Sequence, residues 1–359
     1  MEAKDERLKP AISEARFHPS VLEFEDLAKD GEKYLEELRS ILAKSYVWVR
    51  QDRLKRVLRV QAVALRAIRE FLDSKGFVEL LPPIIGPVTD PGIRGARQVS
   101  IDYYGKEYKV MSSAILYKQA AATALGKIYF VSPNIRLEPL ETAYTGRHLT
   151  EFVQVDVEAA RMEYTEAMDL AEGLIRYVVK VVREEASAEL EALGRELPDC
   201  TRPFPRLTHS EAVSILRSIG LEVDEKSEIP WEGERILSAH TETPFFIYDY
   251  PLGSRGFYDR EDPDRPGVLR DFDALYPEGF GEAVSGAERE YEYEKVVARM
   301  RASGEDPSKY GWYLEMLREG IEPTAGFGIG VERLTRFLCG LRAVWEARLC
   351  PKVAGVHSP

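Results

Sequence analysis

Hydrophobic positions set the outline of the chain. In Phe24–Lys44 (FEDLAKDGEKYLEELRSILAK) apolar residues recur at helical spacing with no strand-like alternation, which predicts an N-terminal helical extension. Arg53–Gly76 (RLKRVLRVQAVALRAIREFLDSKG) has the same period and closes on a glycine, as a helix C-terminus requires. FVELLPPII (Phe77–Ile85) reads as a strand stopped by Pro82 and Pro83. Further helices are expected over 112–126, 165–195, 290–303, 307–319 and 331–347, with a short buried strand in KIYFVS between the first two. A proline-rich break at 198–205 opens a small helical insertion of about 198–243, and 245–293 returns to strands and loops. Strands separated by helices of uneven length, with hairpin-like neighbours, predict an α+β fold with a mainly antiparallel sheet.

One strand carries chemistry. GRHLTEFVQVDVE (Gly146–Glu158) alternates, with Val153, Val155 and Val157 on one side and Thr150, Phe152, Gln154, Asp156 and Glu158 on the other. Such a polar face is ordinarily solvated, but here it holds an aromatic, Phe152. The long connection before it, NIRLEPLETAYTGRH, gathers Arg136, Glu138, Arg147 and His148, and loops of this length usually carry function. Near the end, AGFGIGVERLTRF puts Arg333 in the first turn of a helix, where the dipole is unfavourable for a cation. A negative partner is expected beside it.

Composition narrows the classes. The 359 residues are 44 % hydrophobic, enough for a sizeable core. Net charge is −12, which argues against nucleic acid as the main partner. The three cysteines are isolated, so neither a disulfide framework nor a zinc site is expected. With no signal peptide and no apolar run near 18 residues, a cytoplasmic protein away from membranes is expected. Abundant charge and a single asparagine, Asn134, lean towards a thermophile.

Five segments in order resemble the catalytic domain of class II aminoacyl-tRNA synthetases, in the aspartyl/asparaginyl group. GFVELLPPII resembles motif 1, NIRLE with RHLTEF motif 2, and GFGIGVERLTRF motif 3. LYKQ (Leu116–Gln119) resembles the amino-acid-binding segment, and GEAVSGAERE (Gly281–Glu290) the metal and side-chain recognition strand. The match runs over roughly residues 50–355. It implies a catalytic domain at 49–355 behind the extension at 1–48, and a homodimer through the motif 1 strand. It also implies roles at matching positions. Arg136 would hold the α-phosphate of ATP, Glu138 the adenine amino group and His148 the outer phosphates. Phe152 would stack on the ring, and Arg333 would take the γ-phosphate and the other ring face. Asp273, Glu282 and Ser285 would hold Mg2+. Glu282 and Ser285 are three apart, so they share a face only if the strand bulges, and a bulge near Gly286 is expected. Lys118 and Arg289 would grip a carboxylate of the amino acid. Each of these charges also reads as an ordinary turn, salt-bridged or solvated residue.

Within the group, the chain most resembles a truncated archaeal branch, asparagine synthetases related to asparaginyl-tRNA synthetase. About 45 residues precede motif 1, with no alternating strands of an anticodon-binding domain. Ile115 stands where aspartyl enzymes have a glutamine. VTDPGIRGARQVSID has lost a glutamate for the α-ammonium, leaving Asp90, Asp156 or Ser112. CPK (Cys350–Lys352) replaces Phe-Pro-Arg. The expectation is an ammonia-dependent ligase converting L-aspartate through a β-aspartyl-adenylate to asparagine, AMP and pyrophosphate. Asp259 in GFYDRED is a base or ammonium site, or a turn aspartate. tRNA is not expected as a partner. The alternatives are an aspartyl/asparaginyl-type synthetase paralogue acting on tRNA or another acceptor, and a non-catalytic paralogue that only binds adenylate or amino acid.

Overall fold

The computed structural model describes residues 14–90 and 95–359. The expected start of the extension, and residues 91–94 of the loop after motif 1, lie outside the described residues. Helices α1 (Pro19–Ala28), α2 (Gly31–Leu42), α3 (Ser45–Trp48) and α4 (Asp52–Ser74) lead to strand β1 (Val78–Leu80). Strands β2 (Ile85–Gly86), β3 (Ser100–Tyr103) and β4 (Lys106–Val110) form a small separate sheet. Helix α5 (Ile115–Leu125) precedes β5 (Lys127–Ile135) and β6 (Glu151–Ala160), and α6 (Tyr164–Glu185) and α7 (Ser187–Leu193) follow. Next come β7 (Arg206–Thr208), α8 (His209–Ser218), α9 (Trp231–Ala239), β8 (Phe245–Tyr248), β9 (Asp271–Tyr276) and β10 (Gly281–Glu288). The chain closes with α10 (Tyr293–Ala302), α11 (Gly311–Glu319), β11 (Thr324–Gly330) and α12 (Val331–Cys339).

The main sheet has eight strands in the order β1-β5-β6-β11-β10-β9-β8-β7. Its neighbours are antiparallel apart from the edge pairs β1/β5 and β7/β8, so the α+β expectation holds. One sheet face is apolar and is covered by α4, α6 and α12, whose Val60, Ile68, Leu174, Val178 and Phe337 pack with Val155, Val157, Phe327 and Ile329 in one core. Fully burying a side chain of this size stabilises by about 1.5–3 kcal/mol. With that face sealed, the polar alternates of the central strands face the opposite way, into a cleft.

Several boundaries differ from the periodic reading. The N-terminal helical stretch breaks at Asp30, whose carboxylate accepts from the Lys33 N–H at 3.3 Å and caps α2. The long helix over 165–195 divides at Ala186. The last helix ends at Cys339, eight residues early, because Gly340 turns left-handed at φ +62. The insertion is not purely helical, since β7 pairs in parallel with β8 and widens the sheet. The early helices pack through Phe24, Tyr34, Leu38 and Leu42 onto Leu149, Trp345 and Val353. Among the described residues no helix is long and apolar enough to cross a membrane.

Candidate active site

A cleft of about 510 Å³ lies over the polar face of β6, β10 and β11. Phe152, Gln154 and Asp156 of β6 line it, while Val155 and Val157 enter the core. The alternation read from the sequence is therefore correct, but its polar face is walled by protein. Asp156 and Glu158 are 2 % and 0 % exposed.

The glycines preceding α12 divide between two tasks. A Cβ at Gly326 would lie 2.0 Å from the Val157 carbonyl and 2.2 Å from Glu158 Oε2, so this glycine permits strand packing. Gly328 and Gly330 line the cleft itself.

One end of the cleft is rich in arginine. Arg333 Nη1 pairs with Glu282 Oε2 at 2.9 Å, which supplies the negative partner its helix position demands. Arg147 Nη2 approaches the same Glu282 oxygen at 3.7 Å and Glu234 at 2.9 Å. Burial alone would raise the Glu282 carboxyl, but Arg333, Arg147 and Arg255 bring it down to about 2. His148 goes to about 3, through burial and then Arg333 and Arg147, so its ring is neutral at pH 7. Its Nδ1 meets Thr145 Oγ1 at 2.7 Å. Arg136 stacks over Phe152 at 5.0 Å while its Nε donates to the Ser112 carbonyl at 3.0 Å. Glu138 is half-buried beside them, and that burial raises its carboxyl against the pull of Arg136 and Arg333.

The residues expected to hold a metal share one face. The register of β10 against β9 shifts between Glu282 and Val284, so the bulge falls at Ala283 and not near Gly286. It returns Glu282 and Ser285 to the same side, with Ser285 opposite Asp273. Asp273 Oδ2 accepts from Arg255 at 2.5 Å, while Oδ1 is buried with no hydrogen-bond partner among the described residues. No cluster of three or more His, Cys, Asp or Glu able to hold a metal occurs among the described residues. Glu282 and Ser285 line the cleft, whereas Asp273 is 1 % exposed and lies behind them, paired with Arg255. The groups that reach the cleft fit Mg2+ held by one carboxylate and by ligand phosphates, and not a complete protein cage.

The other end is sealed. Lys118, on α5, is 2 % exposed, not solvated. Its Nζ lies 3.5 Å from both Asp156 Oδ1 and Glu158 Oε2 and donates to the Phe327 carbonyl at 3.3 Å. Arg289 donates to Glu158 from Nε at 3.2 Å, to Asp259 from Nη1 at 2.8 Å and to the Gly326 carbonyl from Nη2 at 3.0 Å. Asp259 is thus a buried ion-pair partner and no surface turn residue. Burial raises the carboxyls of Asp156 and Asp259, against the pull of Lys118 and Arg289 respectively. Asp156 Oδ2 has no hydrogen-bond partner among the described residues. Ser112 lies beneath the cleft, not in its lining, with its hydroxyl on Thr89 and the Asp90 carbonyl. Ser113 and Asp90 line it instead.

Sequence reasoning missed Arg255, which pairs with Glu228, Asp271 and Asp273 and anchors the acidic strand. It also left Arg147 and Glu158 without a role. Glu158 was visible on the polar face of its strand, whereas nothing in the sequence distinguishes Arg255 from other loop arginines.

The chain matches the model of class II tRNA synthetases (D, K and N) over residues 37–354. It is 35 % identical over 315 residues to the asparagine–tRNA ligase of Thermococcus gammatolerans, covering 87 % of this chain and 72 % of that one. The asparagine–tRNA ligase of Pyrococcus abyssi is also 35 % identical over 315 residues, with 87 % and 71 % covered. The crystal structure of asparaginyl-tRNA synthetase from Pyrococcus horikoshii complexed with asparaginyl-adenylate aligns with a TM-score of 0.84 at 33 % identity, over 89 % of this chain and 73 % of that one. These relatives are tRNA ligases. They overturn the expectation of ammonia-dependent asparagine synthesis, and with it asparagine biosynthesis and the exclusion of tRNA. That expectation drew on a resemblance to a truncated branch, on net charge, on what precedes motif 1 and on departures such as Ile115 and Cys350–Lys352, and none of these outweighs identity of about 35 % to tRNA ligases over most of the chain. By its sequence and its fold, the chain belongs to the class II tRNA synthetases of the aspartate, lysine and asparagine group, close to the asparaginyl members.

Proposed function

We propose that this chain is an asparaginyl-type aminoacyl-tRNA ligase. An α-carboxylate oxygen of the amino acid attacks the α-phosphorus of ATP, the bond to the β-phosphate breaks, and pyrophosphate leaves. A ribose hydroxyl of tRNA then attacks the acyl carbon of the adenylate, and AMP leaves. The cleft contributes positioning and fixed charge and needs no covalent nucleophile.

The observation that carries the choice of asparagine is the charge balance of the sealed end. Lys118 and Arg289 are already committed to carboxylates of the chain, Lys118 to Asp156 and Glu158, and Arg289 to Glu158 and Asp259. An aspartate side chain would bring one more carboxylate to cations that are already shared. A side-chain amide suits it better: its oxygen accepts from Lys118 or Arg289, and its NH2 donates to the partnerless Asp156 Oδ2. The relatives' names point the same way.

At the other end, Phe152 takes the adenine ring, Glu138 its amino group, and Arg136 leaves Phe152 for the α-phosphate. Arg333 and neutral His148 serve the outer phosphates. Mg2+, held through Glu282 and Ser285 with Asp273 behind them, would neutralise phosphate charge. Two copies pair across the motif 1 segment, where Leu81 and Ile84 are 95 % and 58 % exposed.

The test is pyrophosphate exchange with asparagine and aspartate in parallel, followed by acylation of total tRNA. Asparagine-dependent exchange and asparaginyl-tRNA are expected. Exchange with aspartate alone would refute the amino-acid choice, and exchange without any acylated tRNA would refute the acceptor.

A further inference from the structure

A second cavity, of about 260 Å³, lies behind the arginine-rich end of the cleft. Helix α1 forms one wall with Phe24 and Ala28, the 3-10 turn Leu140–Thr145 another with Tyr144, and Phe280 the base. Trp231, 46 % exposed, stands at the rim. The walls are thus aromatic, but three guanidinium groups also line the space, with Lys29 and the Glu25 carboxylate.

Their hydrogen bonding is incomplete. Arg336 is 5 % exposed, and its Nε donates to the carbonyls of Leu341 and Arg342 at 3.3 and 3.2 Å. Among the described residues its two terminal nitrogens have no hydrogen bond, and no carboxylate pairs with it. Arg147, 7 % exposed, spends Nη2 on Glu234 and Glu282, while its Nε and Nη1 are buried without a partner among the described residues. Arg235 pairs with Glu25 but leaves Nε unsatisfied. Buried donors without acceptors are costly, so the unsatisfied nitrogens of Arg147 and Arg235, beside an Arg336 that no carboxylate pairs with, call for acceptors from outside the chain. Burial, then repulsion from Arg147 and Arg333, pulls the Arg336 guanidinium down to about 9, which an anion would relieve.

We propose that this cavity binds a small organic monoanion, a carboxylate head on an apolar body about the size of a benzene ring. The head meets Arg336, with the Arg147 guanidinium beside it, and the body fills the space between Phe24 and Phe280. A free phosphate meets the same guanidinium edges but leaves the aromatic walls dry and empty, so the apolar body is part of the claim. Arg147 belongs to both cavities. An anion on its inner edge offsets the positive field it lends to Glu282 and the phosphate end. Bound anion and ATP then weaken each other by the same factor. This coupling rests on the ATP reading above, whereas the binding does not.

The test is calorimetric titration of the full-length protein with benzoate, isovalerate and inorganic phosphate. One benzoate or isovalerate site per chain is expected, with phosphate binding at least tenfold weaker. Arg336→Met should weaken benzoate at least tenfold. Ala28→Trp, which fills the cavity without replacing an arginine, should do the same if the first variant fails to fold. Both should keep amino-acid-dependent pyrophosphate exchange within about twofold when no anion is present. Benzoate should raise the KM for ATP several-fold in the unaltered protein. Failure of both carboxylates to bind at tens of millimolar, equal binding of phosphate, or binding indifferent to Ala28→Trp would each overturn the site. Binding with an unmoved KM for ATP would overturn the coupling alone. Because titration needs neither ATP nor tRNA, its failure is distinct from failure of the aminoacylation reading.

Discussion

The two ends of the cleft solve opposite problems with the same residue types. At the arginine-rich end the central pair is reachable by water: the side chains of Arg333 and Glu282 are 25 % and 29 % exposed. At the sealed end, Lys118, Arg289, Asp156 and Glu158 have side chains no more than 5 % exposed, and their ion pairs interlock. Exposed pairs exchange partners at small cost, whereas buried ones hold each other in place because a lone buried charge is severely penalised. One end can thus trade protein partners for those of a ligand, as the phosphate reading proposed above requires. The other is a preset template that a side chain must match.

This contrast is sharpest where breaking it should hurt most. Glu158→Ala strips Lys118 and Arg289 of their shared partner, and roughly 3–5 kcal/mol of folding stability should be lost. Denaturant unfolding measures this, and a loss under 1 kcal/mol would mean the sealed end is not sealed. Arg333→Ala and Arg136→Ala should instead leave the fold intact and lower pyrophosphate exchange by roughly 10²–10³-fold. Near-normal exchange in either variant would remove that end's assignment to ATP. Asp156→Asn keeps the volume but replaces an acceptor by an amide, and the KM for asparagine should rise about tenfold with a smaller change in kcat.

A pH series separates the ends more gently. Glu282 sits at about 2 against an ordinary 4.5, so its depressed carboxyl contributes stability above about pH 4.5. That contribution is lost as pH falls from 4.5 towards 2. Glu282→Gln should flatten this acid limb, by roughly 1–2 kcal/mol after solvent screening. An unchanged limb would show that the pair with Arg333 does not persist in solution. The smallest effect on the fold is expected for Leu81→Asp at the exposed motif 1 segment. It should turn the dimers proposed above into monomers in sedimentation velocity while changing intrinsic stability by less than about 0.5 kcal/mol.

The local features of the site were legible because they depend on near neighbours. The alternation of β6, the glycines of β11 and the capping glycine after α4 follow from periods of two and 3.6 and from the freedom of a residue without Cβ. The motif order carried the fold class for the same reason. Where the reading failed, the deciding partner was far along the chain. Lys118 reads as solvated until β6, nearly 40 residues on, brings Asp156 and Glu158 against it. Asp259 reads as a turn residue until Arg289 closes on it. The bulge had to exist for Glu282 and Ser285 to share a face, but its place at Ala283 depends on pairing with β9.

The sequence by itself determined which residue types alternate towards the cleft, which stretches are helical, and the family to which the chain belongs. Tertiary structure alone decided which charges are paired and which donors are left over. It also decided that helix α1 roofs a second cavity beside Arg147. The physical reason is range: dihedral preference and periodicity act within a few residues, whereas the worth of a charge depends on burial and on partners that only the folded chain supplies.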